Sequence, residues 1–260
     1  MRGFFSAMSF LTVIPFPRSL KSQNGAMFAG YPAAGLVIGC ILSLVFLAAR
    51  LLFSDALTAV TLVAGSLLLT GAIHLDGLAD CADAFYGRRD RAETLRILKD
   101  PRIGTMGGAA IGLSLLGRYA ALVSLPGPLV LLALPIICAF SRTTVLAALR
   151  VLPYARDKGG IISAGRSVSG RLTVAAACVV LAVGVLLPVP TAVALLALAA
   201  FWRLSWKRIG GCTGDVLGAS IEIAEICFLA ALAAMAHAGV GLGAFFPLVR
   251  LMLPGAPLVS

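Results

Sequence analysis

The sequence predicts an all-α fold, a single helical membrane domain over residues 1–260 with about seven transmembrane helices. The composition is the first reason: 60% of the 260 residues are hydrophobic and only 12% are charged, with a mean hydropathy of +1.02. Soluble domains carry about 25% charged residues. The second reason is that apolar runs of roughly 18–22 residues recur, which is enough for a helix to cross about 30 Å of hydrocarbon.

The apolar runs give the predicted order of elements. Residues 1–30 are apolar but too short to span, and we expect an interfacial N-terminal segment there. Tight turns at Pro126–Pro128 and Pro188–Pro190 separate two pairs of spans. The seven predicted spans are Tyr31–Leu52, Ala56–Ile73, Met106–Leu125, Leu129–Leu149, Leu172–Leu187, Thr191–Trp206 and Val216–Val240. The apolar tail that follows contains several glycines and prolines and is not predicted to span.

The positive charges predict the orientation. Alternating spans place the N-terminus and the polar loops 75–105, 150–171 and 207–215 on one side, and 17 of the 21 Lys and Arg residues lie there or beside them. Such an excess marks the cytoplasmic side. We therefore expect a multi-pass protein of the bacterial inner membrane that contacts lipid. The net charge of +10 then needs no nucleic acid partner.

The six cysteines form no CxxC pair, which argues against a zinc site. The sequence leaves oligomerisation open.

A dense polar segment interrupts the hydrophobic chain at residues 71–108. It holds six of the 11 acidic side chains, and we predict a cytoplasmic catalytic loop at 75–105. On a helix, Asp76, Asp80 and Asp83 would lie within roughly 60° on one face, where they repel one another. A hard divalent cation, Mg²⁺ or Mn²⁺, would relieve that repulsion and would complete its shell with substrate phosphates. The alternative is a solvated acidic face.

Three further residues of this segment are candidates for the site. His74 could be a base or a phosphate contact, or only a polar residue at a helix boundary. Asp100 precedes Pro101, which disfavours helix at Asp100 and ends a predicted helix Arg91–Lys99. Arg102 lies near the Gly104–Gly108 run, where backbone N–H groups at a helix start would bind an anion.

A second polar site is predicted at the start of the last span. Gly210–Asp215 is rich in glycine, and Thr213 or Asp215 can cap the helix that follows. Glu222 and Glu225 lie inside that span, where a central charge costs about 2.5–3.5 kcal/mol. They should therefore face a cavity, a metal or arginines. We expect Arg142 to line the same cavity, and a purely structural Glu–Arg pair is the alternative.

These motifs together resemble a known family. FLTVIPFP, HLDGLADCADAF, ILKDPRIGTMGG, SR at 141–142 and GGCTGDVLGASIEIAE are similar, in order and over nearly the whole chain, to cobalamin synthase, the adenosylcobinamide-GDP ribazoletransferase. The resemblance implies that α-ribazole, or its 5′-phosphate, attacks the cobinamide-linked phosphate of adenosylcobinamide-GDP with Mg²⁺, and that GMP leaves.

The resemblance also implies roles by position. The implied metal ligands are Asp76, Asp80 and Asp83, and Asp100 would be a further ligand or the base that activates the attacking hydroxyl. The phosphate and nucleoside sites would be shaped by His74, Arg102, Thr213, Asp215, Glu222 and Glu225.

Two other classes of membrane protein stay open. A CDP-alcohol phosphotransferase also clusters aspartates at a membrane boundary, but this chain lacks its Asp-Gly…Ala-Arg spacing. A cation-coupled transporter would use Glu222 and Glu225.

Overall fold

The protein is all-helical in the ranges that its computed structural model describes, residues 2–20, 25–156 and 170–239. Two short 3₁₀ helices, Arg18–Leu20 and Gly25–Gly30, follow the first α-helix. Ten α-helices lie within these ranges, and no β-strand does. They are α1 Arg2–Leu11, α2 Tyr31–Leu52, α3 Asp55–Thr70, α4 Ile73–Phe85, α5 Arg91–Ile97, α6 Thr105–Ser124, α7 Gly127–Val151, α8 Gly170–Leu186, α9 Pro188–Ile209 and α10 Gly214–Ala238.

Most of the predicted spans correspond to helices long enough to cross a membrane. Five segments qualify by length and composition, and a sixth qualifies if the bent pair α3–α4 counts as one broken span. The prediction of about seven is close. The predicted span at 172–187 falls on α8, whose described apolar part, Val174–Leu186, is shorter than a full span. Most of the predicted 150–171 loop, and the chain from Val240 onward, lie outside the described residues.

The second predicted span is bent. It was expected to run from Ala56 to Ile73, but α3 ends at Thr70 and α4 leaves it at 90°. Gly71 and Ala72 both adopt the left-handed conformation, with φ of 61° and 55°. Right-handed helix cannot continue through such residues, and a non-glycine residue is strained there. The segment 75–105, predicted as a loop, therefore begins with α4.

Small residues bring two long helices close together. A Cβ atom at Gly35 of α2 would overlap the backbone of Cys138 in α7, and one at Gly39 would overlap that of Pro135. In membranes, such small-xxx-small pairs let helix backbones approach and pack by van der Waals contact. This pair of helices forms one wall of the bundle.

The last described helix, α10, is the centre of the bundle. It packs against α4, α6, α7 and α9, and Ala219, Ala224, Phe228 and Leu232 are fully buried on it. The loop before it is fixed by backbone hydrogen bonds: Cys212 N donates to Pro153 O (2.8 Å) and Ala155 N donates to Cys212 O (3.0 Å). The start of α10 is thereby held beside the end of α7.

The N-terminal segment packs onto this bundle with one face. Ala7, Met8 and Leu11 of α1 are buried, whereas Val13 is 62% exposed. Val13 N donates a hydrogen bond to Leu69 O (2.9 Å), which is one of the carbonyls that the end of α3 leaves without a helical partner. The segment predicted to be interfacial thus covers the bend between α3 and α4.

Candidate active site

The predicted acidic face is on a helix. The structure forms α4 over Ile73–Phe85, which confirms the helical placement of Asp76, Asp80 and Asp83. The bend at Gly71–Ala72 turns this helix away from α3. Its polar face therefore packs into the end of the bundle where α6 and α10 begin.

Two glycines determine how closely α4 approaches α10. A Cβ atom at Gly77 would lie 2.7 Å from the backbone oxygen of Asp215, and one at Gly218 would lie 3.3 Å from that of Ile73. Real Cβ atoms almost never come within 3.0 Å of another heavy atom. Only glycine allows this crossing, and the crossing brings Asp215 to the acidic face of α4.

Four carboxylates thereby lie near one another. Asp80 lies close enough to Asp76, Asp83 and Asp215 to feel their negative charges. Carboxylates this close repel one another unless a proton or a cation neutralises part of their charge. The sequence predicted Asp76 and Asp80 together, but it assigned Asp215 to substrate binding rather than to this cluster.

Asp215 is held from two sides. Thr213 Oγ1 donates a hydrogen bond to Asp215 Oδ2 (3.0 Å), and the Arg156 Nη2 group lies 3.3 Å from the same oxygen. Thr213 also caps α10 as predicted, since its hydroxyl accepts from Val216 N (3.4 Å). Arg156 was not among the site residues predicted from the sequence. It places a guanidinium beside the carboxylate cluster.

Asp83 makes a different contact from the one predicted. Its carboxylate accepts hydrogen bonds from Gly104 N (2.7 Å) and Gly107 N (2.8 Å) at the start of α6. The Gly104–Gly108 run was expected to bind an anion, and the anion there is the Asp83 side chain. A carboxylate at a helix start is stabilised by the free N–H groups and the helix dipole. Gly104 and Gly107, where a Cβ atom would overlap the Asp83 carboxylate, were the sequence signal for this contact.

Asp100 and Arg102 pair with each other. Asp100 Oδ1 accepts from the Arg102 backbone N (3.1 Å) and from its Nε (2.9 Å), and Oδ2 accepts from Nη2 (2.6 Å). The guanidinium holds the pKa of the Asp100 carboxyl below its ordinary value, chiefly through these side-chain hydrogen bonds. A carboxylate stabilised in this way is a weak proton acceptor. The pair lies after α5, which ends at Ile97, close to the predicted helix end.

The two glutamates of α10 form a buried ion network. Arg118 donates to Glu222 Oε1 (2.9 Å) and to Glu225 Oε2 (2.7 Å), and Arg142 pairs with Glu225 Oε1. Ser114 Oγ also donates to Glu222 Oε1 (2.6 Å). This is the structural Glu–Arg pairing that the sequence left open. Arg142, Glu222 and Glu225 were predicted to bind substrate. In the structure Arg142 pairs with Glu225, and Arg118 pairs with both glutamates, because unpaired charges would be costly in the bundle.

A cavity of about 320 Å³ opens beside the carboxylate cluster. Asp76 and Asp215 lie in its wall together with His74. The rest of the wall is mainly apolar and comes from the N-terminal segment, α2, α7 and α10. His74 is buried, and its Nε2 has no hydrogen-bond partner within the described part of the chain. His74 also lines a much smaller cavity that contains the Glu–Arg network, so it separates the two sites.

Metal binding at this site stays a prediction. Within the described ranges, no group of three or more His, Cys, Asp or Glu side chains is arranged as a ready set of metal ligands. Mg²⁺ usually binds through one or two protein carboxylates and takes waters and substrate phosphates as its other ligands. The oxygen donors of Asp76, Asp80 and Asp215 are of the type that Mg²⁺ prefers.

Comparison with known proteins gives the family. Residues 3–233 match the family described as Cobalamin-5-phosphate synthase. The chain belongs to this family. It is similar to the adenosylcobinamide-GDP ribazoletransferases of Escherichia coli O17:K52:H18 (36% identity over 249 residues, 88% of this chain and 98% of the relative) and Chlorobaculum parvum (36% over 245 residues, 89% and 96%). The protein of that name from Escherichia coli K12 is 35% identical over 249 residues. No solved structure matched.

Membership of the cobalamin-5-phosphate synthase family confirms the resemblance inferred from the motifs. It makes the chain a transferase of cobalamin synthesis, and the long apolar helices fit a multi-pass membrane protein. The match favours this class over the CDP-alcohol phosphotransferase and the transporter. The roles of individual residues rest on the geometry above.

Proposed function

We propose that this enzyme joins α-ribazole, or its 5′-phosphate, to adenosylcobinamide-GDP and releases GMP, with Mg²⁺ as the cofactor. The product would be adenosylcobalamin or its 5′-phosphate. The family and the names of the relatives support the transferase class. The observation that carries the proposal is that Asp76 and Asp215 lie in the wall of a cavity, with Asp80 close to both, where a diphosphate and a nucleoside could meet.

The carboxylate cluster would hold the metal. The sequence assigned Asp76, Asp80 and Asp83 to Mg²⁺, but both oxygens of Asp83 accept backbone hydrogen bonds from α6. We therefore assign Asp83 to positioning α6 against α4, and we take Asp215 as the third carboxylate of the metal site. When bound, Mg²⁺ would neutralise charge on the diphosphate and orient it.

The remaining residues bind and orient the substrates. In the reaction, the hydroxyl oxygen of α-ribazole forms a bond to the phosphorus that carries the cobinamide, and the bond from that phosphorus to the GMP oxygen breaks. The hydroxyl proton would pass to a carboxylate oxygen of the cluster that is not bound to Mg²⁺. Asp100 is less suited to this task, since Arg102 lowers its pKa. Arg156, beside Asp215, would contact the transferred phosphate.

The basic loops would place this site at the cytoplasmic face of the inner membrane. The 17 Lys and Arg residues on the predicted cytoplasmic side support this orientation. Labelling of a single cysteine introduced at Tyr86, which is 64% exposed beside the site, would test it in spheroplasts and in inverted vesicles, in a variant whose six native cysteines are replaced by Ala. Reaction with an impermeant maleimide in spheroplasts would refute the cytoplasmic placement.

The activity is tested with the purified protein in detergent. GMP released from adenosylcobinamide-GDP is measured with α-ribazole and Mg²⁺ present. The variant Asp80→Asn should lose at least 10²-fold in rate, because the metal site loses a charge. Asp55→Asn is the matched control, since Asp55 is exposed at the start of α3 and its Arg50 partner is also partly exposed. No GMP release by the wild type, or full activity of Asp80→Asn, would contradict the proposal.

A further inference from the structure

Arg91 joins three segments of the chain near the carboxylate cluster. It is the first residue of α5 and donates two hydrogen bonds from its guanidinium, from Nε to Ile209 O at the end of α9 (2.9 Å) and from Nη2 to Ala155 O in the segment after α7 (2.8 Å). Ile209 and Ala155 are buried, with exposed fractions of 0% and 2%. The start of α5 is thereby fixed to the two segments that meet before α10.

Both acceptors are backbone carbonyls that require a donor. Ile209 O is one of the last four carbonyls of α9, which have no partner within the helix, and the chain turns away at Gly210 with φ of 75°. Nε and Nη2 lie on one edge of the planar guanidinium, so a single side chain serves two carbonyls at a fixed spacing. A lysine in place of Arg91 would carry one compact ammonium group on a flexible stem, and it would not reproduce this pair of bonds.

The segment that Arg91 holds carries a residue of the site. Ala155 N donates a hydrogen bond to Cys212 O (3.0 Å), in the loop before α10. The next residue, Arg156, places its Nη2 3.3 Å from Asp215 Oδ2. Because Ala155 and Arg156 are adjacent in the chain, a shift of the Ala155 carbonyl away from Arg91 moves the backbone of Arg156 with it. The distance between Arg156 and the carboxylate cluster therefore depends on Arg91.

We propose that Arg91 is a positioning residue for the transfer reaction. By holding Ala155 O and Ile209 O at a fixed spacing, it keeps Arg156 beside Asp215. This inference rests on the proposed function, in which Arg156 contacts the transferred phosphate. Arg91 acts through Arg156, since its own guanidinium is directed at the two backbone carbonyls.

The first test measures the rate of GMP release at saturating substrates. Arg91→Lys should lower kcat about tenfold or more, because a displacement of about 1 Å in an active site can cost on the order of 10² in rate. Arg91→Gln should show the same loss. Arg96→Gln is the matched control, since Arg96 lies on the same helix and its side chain, paired with Glu93, is 63% exposed. A kcat equal to that of the wild type in both Arg91 variants overturns the inference.

The second test separates positioning from a general loss of structure. Arg156→Gln alone should lower kcat about tenfold or more. Adding Arg91→Gln to Arg156→Gln should lower kcat by no more than about a further threefold, because Arg91 acts through the side chain that has already been removed. A merely structural role of Arg91 would multiply the two losses, and that result overturns the inference.

The third test needs no turnover. Cys212 is 1% exposed, and its carbonyl accepts the hydrogen bond from Ala155 N. In a variant whose other five cysteines are replaced by Ala, N-ethylmaleimide should label Cys212 about fivefold faster or more after Arg91→Gln, because the segment that covers it opens more often, and no faster after Arg96→Gln. If Arg91→Gln does not purify as a folded protein, Arg91→Lys replaces it. Equal labelling rates with and without Arg91 overturn the inference.

The labelling rates separate this inference from the proposed function. Faster labelling of Cys212 in Arg91→Gln, without any GMP release by the wild type, would reject the reaction and keep Arg91 as the residue that holds this segment. GMP release by the wild type, with kcat and labelling both unchanged in the Arg91 variants, would keep the reaction and reject the positioning role.

Discussion

The close crossing of α4 and α10 gives the sharpest test of the site geometry. In Gly77→Ala the new methyl group would lie 2.7 Å from the backbone oxygen of Asp215, about 0.7 Å closer than the 3.4 Å at which ordinary contact begins. Because the obstructing atom is backbone, no side-chain rotation relieves the overlap. The two helices must separate by a comparable distance, and Asp215 must move away from Asp76 and Asp80.

The expected effects are large on rate and moderate on stability. A displacement of about 1 Å in an active site can cost on the order of 10² in rate, so GMP release should fall between tenfold and 10²-fold. Overpacking costs about 1–3 kcal/mol, and the gain from replacing glycine in a helix returns up to about 1 kcal/mol. The fall in unfolding free energy should therefore be about 0–3 kcal/mol.

Gly112→Ala on α6 is the matched control. A Cβ atom at Gly112 meets no atom within 4 Å, so this variant should keep its activity and gain up to about 1 kcal/mol of stability. Activity is measured by GMP release at saturating substrates, and stability by thermal unfolding in the same detergent. Full activity of Gly77→Ala would show that α10 does not hold Asp215 against α4 in the way described.

Three further predictions concern the carboxylates. Asp83→Ala should lower the stability by about 2–4 kcal/mol, since two charge-assisted hydrogen bonds to the start of α6 are lost in a partly exposed site, and thermal unfolding measures this. Glu225→Gln should cost about 3–5 kcal/mol because it leaves buried guanidinium charge without compensation, whereas the exposed Glu93→Gln should leave the unfolding midpoint unchanged. EDTA should abolish GMP release and added Mg²⁺ should restore it, while persistent activity in EDTA would refute the metal assignment.

The sequence predicted the elements whose signals are local. Long apolar runs predicted the helices of the bundle, and the spacing of Asp76, Asp80 and Asp83 predicted one helical face. Pro101 after Asp100 predicted the end of α5 to within two residues. The family motifs in HLDGLADCADAF predicted the enzyme class. Each of these signals depends only on residues that are neighbours in the chain.

The bend between α3 and α4 could not be found in this way. Gly71 is followed by Ala72, an ordinary helix-forming residue, and the apolar run continues through Ile73. Ala72 nevertheless adopts a left-handed conformation, and Val13 N bonds to a carbonyl that the bend leaves unpaired. A distant segment stabilises the bend, so no local pattern shows it.

The sequence by itself therefore determined the helical membrane class, the acidic face of α4 and the family, because hydrophobic periodicity and motif spacing are properties of short stretches. Only the tertiary structure decided which partner each charge has. Asp83 binds the start of α6, Asp215 joins Asp76 and Asp80, and the glutamates of α10 pair with arginines of α6 and α7. Electrostatic energy depends on distance in space. Those distances are set where helices that are far apart in the chain cross closely at glycine residues.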